Sequence, residues 1–140
     1  MNGPPAETAD RMGKDYVELF GRVPALVEQR VAMAELTRRL DTIEMIEAVR
    51  KVLISANPLG SDRQQLVHFG QLVVLGNRDA ASRHAVACRK NGATAEELIG
   101  VVETAFITAG VPAYNLGIEI LHELFIMRGE AAQPDPEGRR

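Results

Sequence analysis

Cysteine occurs once in the 140 residues, at Cys88. One thiol makes no intrachain disulfide, no CxxC redox pair and no cysteine-based zinc site. A chain without a cystine framework fits a reducing compartment. Tryptophan is absent and aromatics are only 4%, too few for the stacking platforms that hold single-stranded nucleic acid. Neither sign of charge dominates: 16 Lys and Arg against 19 Asp and Glu give a formal net charge of −3. Dedicated nucleic-acid binders cluster basic residues, so nucleic acid is not an expected partner. No apolar run reaches the length of a membrane span, and none is expected. Met1 to Asp10 carries Pro, Gly and acid instead of a basic-then-apolar leader, unlike a secretory signal. The expectation is a cytoplasmic enzyme. HExxH, GxGxxG and GxSxG are missing too, as are glycine-rich phosphate loops. No metal and no cofactor are expected.

What is present is ordinary globular material: 46% apolar and 25% charged residues, enough for one domain with a real core. Residues 1–9 and 129–140 hold Pro and Gly among charges and offer little apolar surface to offset ordering. Both are expected to be flexible, around one helical domain over residues 10–128. Within it the punctuation is helical throughout. Met12, Tyr16, Val17 and Phe20 stand at helical spacing and stop at Gly21. Pro24 suits the first turn of the next helix, running to about Leu40. Asp41 or Thr42 can cap a third, which Asn57-Pro58 stops. Ser61 is expected to cap a fourth from Asp62 to Leu75, closed by Gly76-Asn77, with a fifth from about Asp79 to Asn91, closed by Gly92. Thr94 with Glu97 is a capping box opening a sixth. Pro112 starts a seventh, reaching about Arg128. Val73-Val74-Leu75 suits a short strand by composition, but the flanking helical signals argue against one. The fold class is all-α. The seventh helix has an apolar surface over most of its circumference, and such a helix is buried on all sides. A second subunit is expected to cover it.

Few residues suit chemistry. His84 and Cys88 are four apart on one helix, so they share a face. A histidine there can activate the thiol as a nucleophile; equally, Cys88 is a small buried hydrophobe and His84 a hydrogen-bonded core histidine. His68 lies in the fourth helix beside Phe69. Arg63 and Gln64 at its start can hold an anion with the free N–H groups there, or form a solvated first turn. Tyr114, early in the seventh helix, can donate to a carbonyl or simply pack. His122 with Glu119 supplies two ligands, too few for a metal site.

From Gly76 to Gly92 the chain reads GNRDAASRHAVACRKNG, then ATAEELIGVVETAFITAGVPAYNLG. An apolar helix ending in Gly, then His84, NGAT-x-EE and AGVPA resemble the carboxymuconolactone decarboxylase family, which includes the alkylhydroperoxidase D-like proteins. ELFGRVPAL, Glu18 to Leu26, fits the family's N-terminal part, and the likeness covers about residues 15–126. It implies an all-helical fold assembled into a homo-oligomer, a trimer or hexamer. It also implies one of two chemistries: decarboxylation of γ-carboxymuconolactone without a cofactor, or peroxide reduction by a CxxC dithiol with a nearby His and Glu. Peroxidase-like members place cysteines seven and four residues before the His, where this chain has Asn77 and Ala80. Decarboxylase-like members tend to carry a Glu four residues before it, again Ala80 here. The arginine of the preceding helix aligns with Gln64, beside Arg63.

Three functions follow. The first is a cofactor-free lyase on a small carboxylated or lactone substrate. His84 is its acid/base, Arg63 or Arg83 the anion holder, and Tyr114 or His68 a secondary donor. The second is a peroxiredoxin-type peroxidase using Cys88 alone through a sulfenic acid. The third is a small-molecule-binding member without catalysis.

Overall fold

The computed structural model of the chain describes residues 5–127. The expected C-terminal tail, residues 1–4 of the N-terminal segment and the seventh helix's end at Arg128 lie outside the described residues. Seven α-helices and a π-helical turn make up the described secondary structure, with no strand among these residues. Val73 and Val74 are helical. The stretch read as one helical domain falls into two compact units, meeting in sequence at Ser61 and Asp62.

The first unit holds α1 (Pro5–Phe20), α2 (Ala25–Thr37) and α3 (Leu40–Ser55). Helix α1 begins seven residues before Met12, the first periodic apolar position of the sequence reading. Pro24 sits just outside α2 as its N-cap, and α3 starts at Leu40 without a side-chain cap from Asp41 or Thr42. Arg38 instead takes a left-handed conformation between them, letting the chain reverse in two residues. Met12, Tyr16, Phe20, Val27, Val31 and Ile43 are buried. The Tyr16 hydroxyl donates to Glu47 at 2.9 Å, and Arg30 Nη1 donates to both groups. The Arg50 guanidinium lies 4.3 Å from the Tyr16 ring centroid. Burial raises the Tyr16 pKa, with Arg50 opposing.

That polar cluster has a consequence for α3. Ile43 is buried and Glu47 and Arg50 are partly so, while the apolar stripe Met45, Ile46, Val49, Val52 and Leu53 is 56–63% exposed. The helix therefore shows much of its hydrophobic side to solvent, the reverse of the usual arrangement.

The second unit holds α4 (Ser61–Val74), α5 (Arg78–Lys90), α6 (Ala95–Ala109) and α7 (Val111–His122), then a π-helical turn (Glu123–Met127). Its core includes Phe69, Val73, Ala85, Leu98, Val102 and Ile120. The capping box at Thr94 is formed: Thr94 Oγ1 accepts from the Glu97 N–H at 3.1 Å, and the Thr94 N–H donates to Glu97 Oε2 at 2.9 Å. Gly110, with φ of +80°, makes the corner from α6 into α7, a region that favours glycine. Across that corner the two helices approach closely. A Cβ on Gly117 would lie 2.5 and 2.6 Å from the two Val102 methyls, so only glycine fits there.

Helix α7 differs from the expectation of all-round burial. It buries Ala113, Gly117, Ile120 and Leu121, but Asn115, Glu119 and His122 are exposed. Its polar residues occur at i, i+4 and i+7, which lie on one face of a helix. The unpartnered apolar surface belongs to α3 instead. No helix among the described residues is long and apolar enough to cross a membrane.

Candidate functional site

His84 projects from the middle of α5 and is 5% exposed. Small residues surround it on that helix: Ala81, Ala85 and Ala87 are buried, which lets neighbouring chain come close. The N-terminus of α5 is set by Asn77, whose side chain accepts from the Ala80 N–H at 3.2 Å. The position held by a cysteine in dithiol members is thus a helix cap here.

Across from His84 stands Gln65 of α4, wholly buried. The imidazole Nδ1–H donates to Gln65 Oε1 at 2.8 Å. That bond assigns the ring hydrogen to Nδ1. His68, also on α4 and partly buried, stacks on His84 with ring centroids 4.0 Å apart and planes tilted 31°. The three side chains form one polar cluster at the edge of an otherwise apolar core. Two buried amide atoms of α4 have no hydrogen-bond partner among the described residues: Gln65 Nε2, within the cluster, and Gln64 Oε1. Such atoms are uncommon in native cores and mark places where a ligand or water belongs.

The other expected residues divide clearly. Arg63 is exposed in the first turn of α4, and Arg83 is partly buried on α5 beside His84. Tyr114 packs edge-on against Phe106, centroids 6.0 Å apart, on the α6–α7 corner. It lines a small cavity with Glu103 and Phe106, apart from the cluster's own contacts. Cys88 is correctly placed on the face of His84 but lies fully buried in the core. Burial pushes its thiol up to about 12. A thiol in that state is almost wholly protonated at neutral pH and lacks the thiolate needed for attack on peroxide. Cys88 is therefore a core residue, which favours the buried-hydrophobe reading over the nucleophile.

Gln65 is the member of the cluster that the sequence reading did not single out. Its signal was present: Gln65, Phe69 and Leu72 stand at i, i+4 and i+7, so a polar amide occupies a core-facing position. A groove of about 820 Å³ lies on the other side of α4, against α6. Leu66, Val67, Gly70 and Val74 line it, and none of the cluster's residues does. The groove is mostly apolar, whereas the polar groups converge at His84. His122 and Glu119 line a separate surface pocket, where Glu119 pairs with Arg78. Among the described residues no group of three or more His, Cys, Asp or Glu is arranged to hold a metal ion.

Comparison with known proteins agrees with the sequence likeness. A 4-carboxymuconolactone decarboxylase of Acinetobacter baylyi is 34% identical over 62 residues, covering 44% of this chain and 46% of that protein. An uncharacterized protein of Methanocaldococcus jannaschii is 28% identical over 81 residues, covering 58% of this chain and 76% of its own length. No solved structure matches the chain. The model of the carboxymuconolactone decarboxylase family matches residues 41–123, from α3 to the first residue of the π-helical turn. The chain belongs to the carboxymuconolactone decarboxylase family.

Proposed function

We propose that this chain is a cofactor-free lyase that removes carbon dioxide from a small carboxylated lactone, with His84 as its acid/base. The observation that carries this reading is the buried imidazole held at Nδ1 by Gln65 Oε1, which makes Nε2 the nitrogen assigned to proton exchange in this reading. Decarboxylation consumes one proton at carbon, and a protonated His84 supplies it from Nε2. The apolar surroundings favour the step, because a carboxylate loses its charge as carbon dioxide leaves and water is excluded. His68, stacked on the ring, is the secondary donor of the cluster.

Turnover of 4-carboxymuconolactone by the purified protein tests this reading. The wild type is expected to turn over. His84→Ala is expected to lose about 10²–10⁴-fold in kcat, the usual contribution of a positioned acid/base. Equal turnover by the two proteins would sink the assignment. No turnover by the wild type would favour the family's scaffold acting as a binding protein. The peroxidase alternative is disfavoured by the protonated, buried Cys88 thiol.

A homo-oligomer is the assembly proposed with it, on the exposed α3 stripe. Five large apolar side chains on one helix face, each 56–63% exposed, make a patch of the kind that marks interaction sites. Sedimentation at micromolar concentration is expected to give a multiple of 15.3 kDa. The double variant Ile46→Glu/Val49→Glu is expected to give the single-chain mass. A wild-type species of 15.3 kDa would overturn the proposal.

A further inference from the structure

We propose that Gln65 also binds the substrate: its side-chain N–H donates to an uncharged carbonyl oxygen on which negative charge gathers as carbon dioxide leaves. This rests on the lyase reading of the same site. The starting point is an imbalance in one amide. Gln65 is wholly buried. Its oxygen is engaged by His84 at 2.8 Å, while its nitrogen has no partner. Leaving a buried donor unmade is costly, so the position is retained at the expense of stability unless something accepts from it.

Geometry says where that acceptor must sit. The nitrogen and oxygen of a planar amide are about 2.2 Å apart. The free N–H therefore lies within about 5 Å of His84 Nδ1. A small molecule accepting from Gln65 Nε2 would have to extend past the ring edge to its far nitrogen, Nε2, for the proton transfer of the proposed reaction. His68 is the partly exposed member of the cluster and forms its solvent side.

Charge says what kind of acceptor. Both partners of the buried Gln65–His84 bond are groups without a fixed charge. The Gln65 N–H itself carries no full charge, so a carboxylate placed on it would lose hydration for a neutral partner and is better matched to the protonated imidazole. A ketone, ester or lactone carbonyl arrives neutral and avoids that cost. Its hydrogen bond then strengthens as the oxygen becomes anionic, so the gain falls on the transition state and not on the bound substrate. In the carboxylated lactone proposed above, the ring carbonyl is the group that meets this requirement.

The electron count closes without another reactant. The bond from carbon to the carboxylate breaks and carbon dioxide leaves. The electron pair passes through the conjugated double bond to the carbonyl oxygen, giving an enolate held by Gln65 Nε2–H. The carbonyl re-forms as a ring carbon takes the Nε2 proton of protonated His84. Solvent then returns a proton to the imidazole.

Gln65→Glu separates the two roles of this side chain. The ionised carboxylate keeps an acceptor for His84 Nδ1–H but has no N–H to donate. It also raises the basicity of His84, so rates are compared at each protein's own pH optimum. The expected result is a loss of about 10²–10³ in kcat with 4-carboxymuconolactone, the range for one missing oxyanion donor. KM should change less, and imidazole ¹⁵N shifts should still report Nδ1–H. Retained kcat in Gln65→Glu would reduce Gln65 to a positioning residue and overturn the inference. A second measurement needs no turnover: the neutral lactone 2(5H)-furanone is titrated into ¹⁵N-labelled wild type. The Gln65 side-chain amide signals should move, and they should stay still in His84-independent controls such as the Gln29 amide. A Gln65 amide that does not respond overturns the inference. A responding amide in a protein without turnover leaves the carbonyl subsite standing and refutes the lyase reading alone.

Discussion

Iodoacetamide at pH 8 will alkylate native Cys88 at least about a hundredfold more slowly than the same thiol in denaturant. Two effects act together. The thiol pKa stands near 12, so the thiolate fraction at pH 8 falls by about three orders of magnitude from that of a free cysteine. The more basic thiolate is intrinsically more nucleophilic, which returns about half of that loss on a logarithmic scale. Exclusion then decides the outcome, because the side chain is 0% exposed and the reagent must wait for an opening of the core. Measured alkylation by mass spectrometry would contradict the core assignment if native and denatured rates were similar. The same burial sets a pH dependence. The unfolded chain loses this proton from about pH 9, whereas the folded one keeps it to about 12. Stability from this group is full below pH 9 and is lost as pH rises toward 12, by up to about 1.4 kcal/mol per pH unit. Cys88→Ala should flatten that slope in urea midpoints taken between pH 8 and 10.

Gly117→Ala is expected to destabilise the protein by about 1–3 kcal/mol, the usual cost of overpacking a filled core. A new Cβ would meet Val102 methyls at 2.5 and 2.6 Å. Val102 is β-branched and fully buried, so it has no rotamer that withdraws both methyls. Alanine's better helix propensity returns about 1 kcal/mol, less than an unrelieved clash of two methyls. Gly100→Ala on α6 is the matched contrast. Nothing lies within 4 Å of its Cβ position, so the same change there should stabilise by about 0.5–1 kcal/mol. Urea midpoints should move in opposite directions at unchanged slope. Val102→Ala combined with Gly117→Ala should cost less than the sum of the two single changes, since they share one contact. Equal effects of Gly117→Ala and Gly100→Ala would contradict the close approach of α6 and α7.

Local signals carried most of the secondary structure. Thr94 and Glu97 cap α6 through bonds between residues three apart, so no distant packing is needed to read them. The helix breaks at Gly21, Gly76, Gly92 and Gly110 coincide with positive φ at each. The start of α3 was less legible, because Arg38 takes the left-handed turn that sequence would give to glycine or asparagine. The face of α3 was not legible at all. Its apolar stripe reads as a core contact, yet the Tyr16–Glu47–Arg30 cluster turns Glu47 inward and the stripe outward.

His84 was visible from its family-like setting, and so was the absence of a dithiol. By itself the sequence determined an all-helical chain of this family, because helix periodicity, caps and motif order are relations among near neighbours. Only the tertiary structure decided the site. Gln65 meets His84 across 19 residues, and no local rule relates two helices whose packing is set by side-chain volumes. The same packing sent Cys88 into the core. Thiol ionisation depends on solvent access, which a composition count cannot supply.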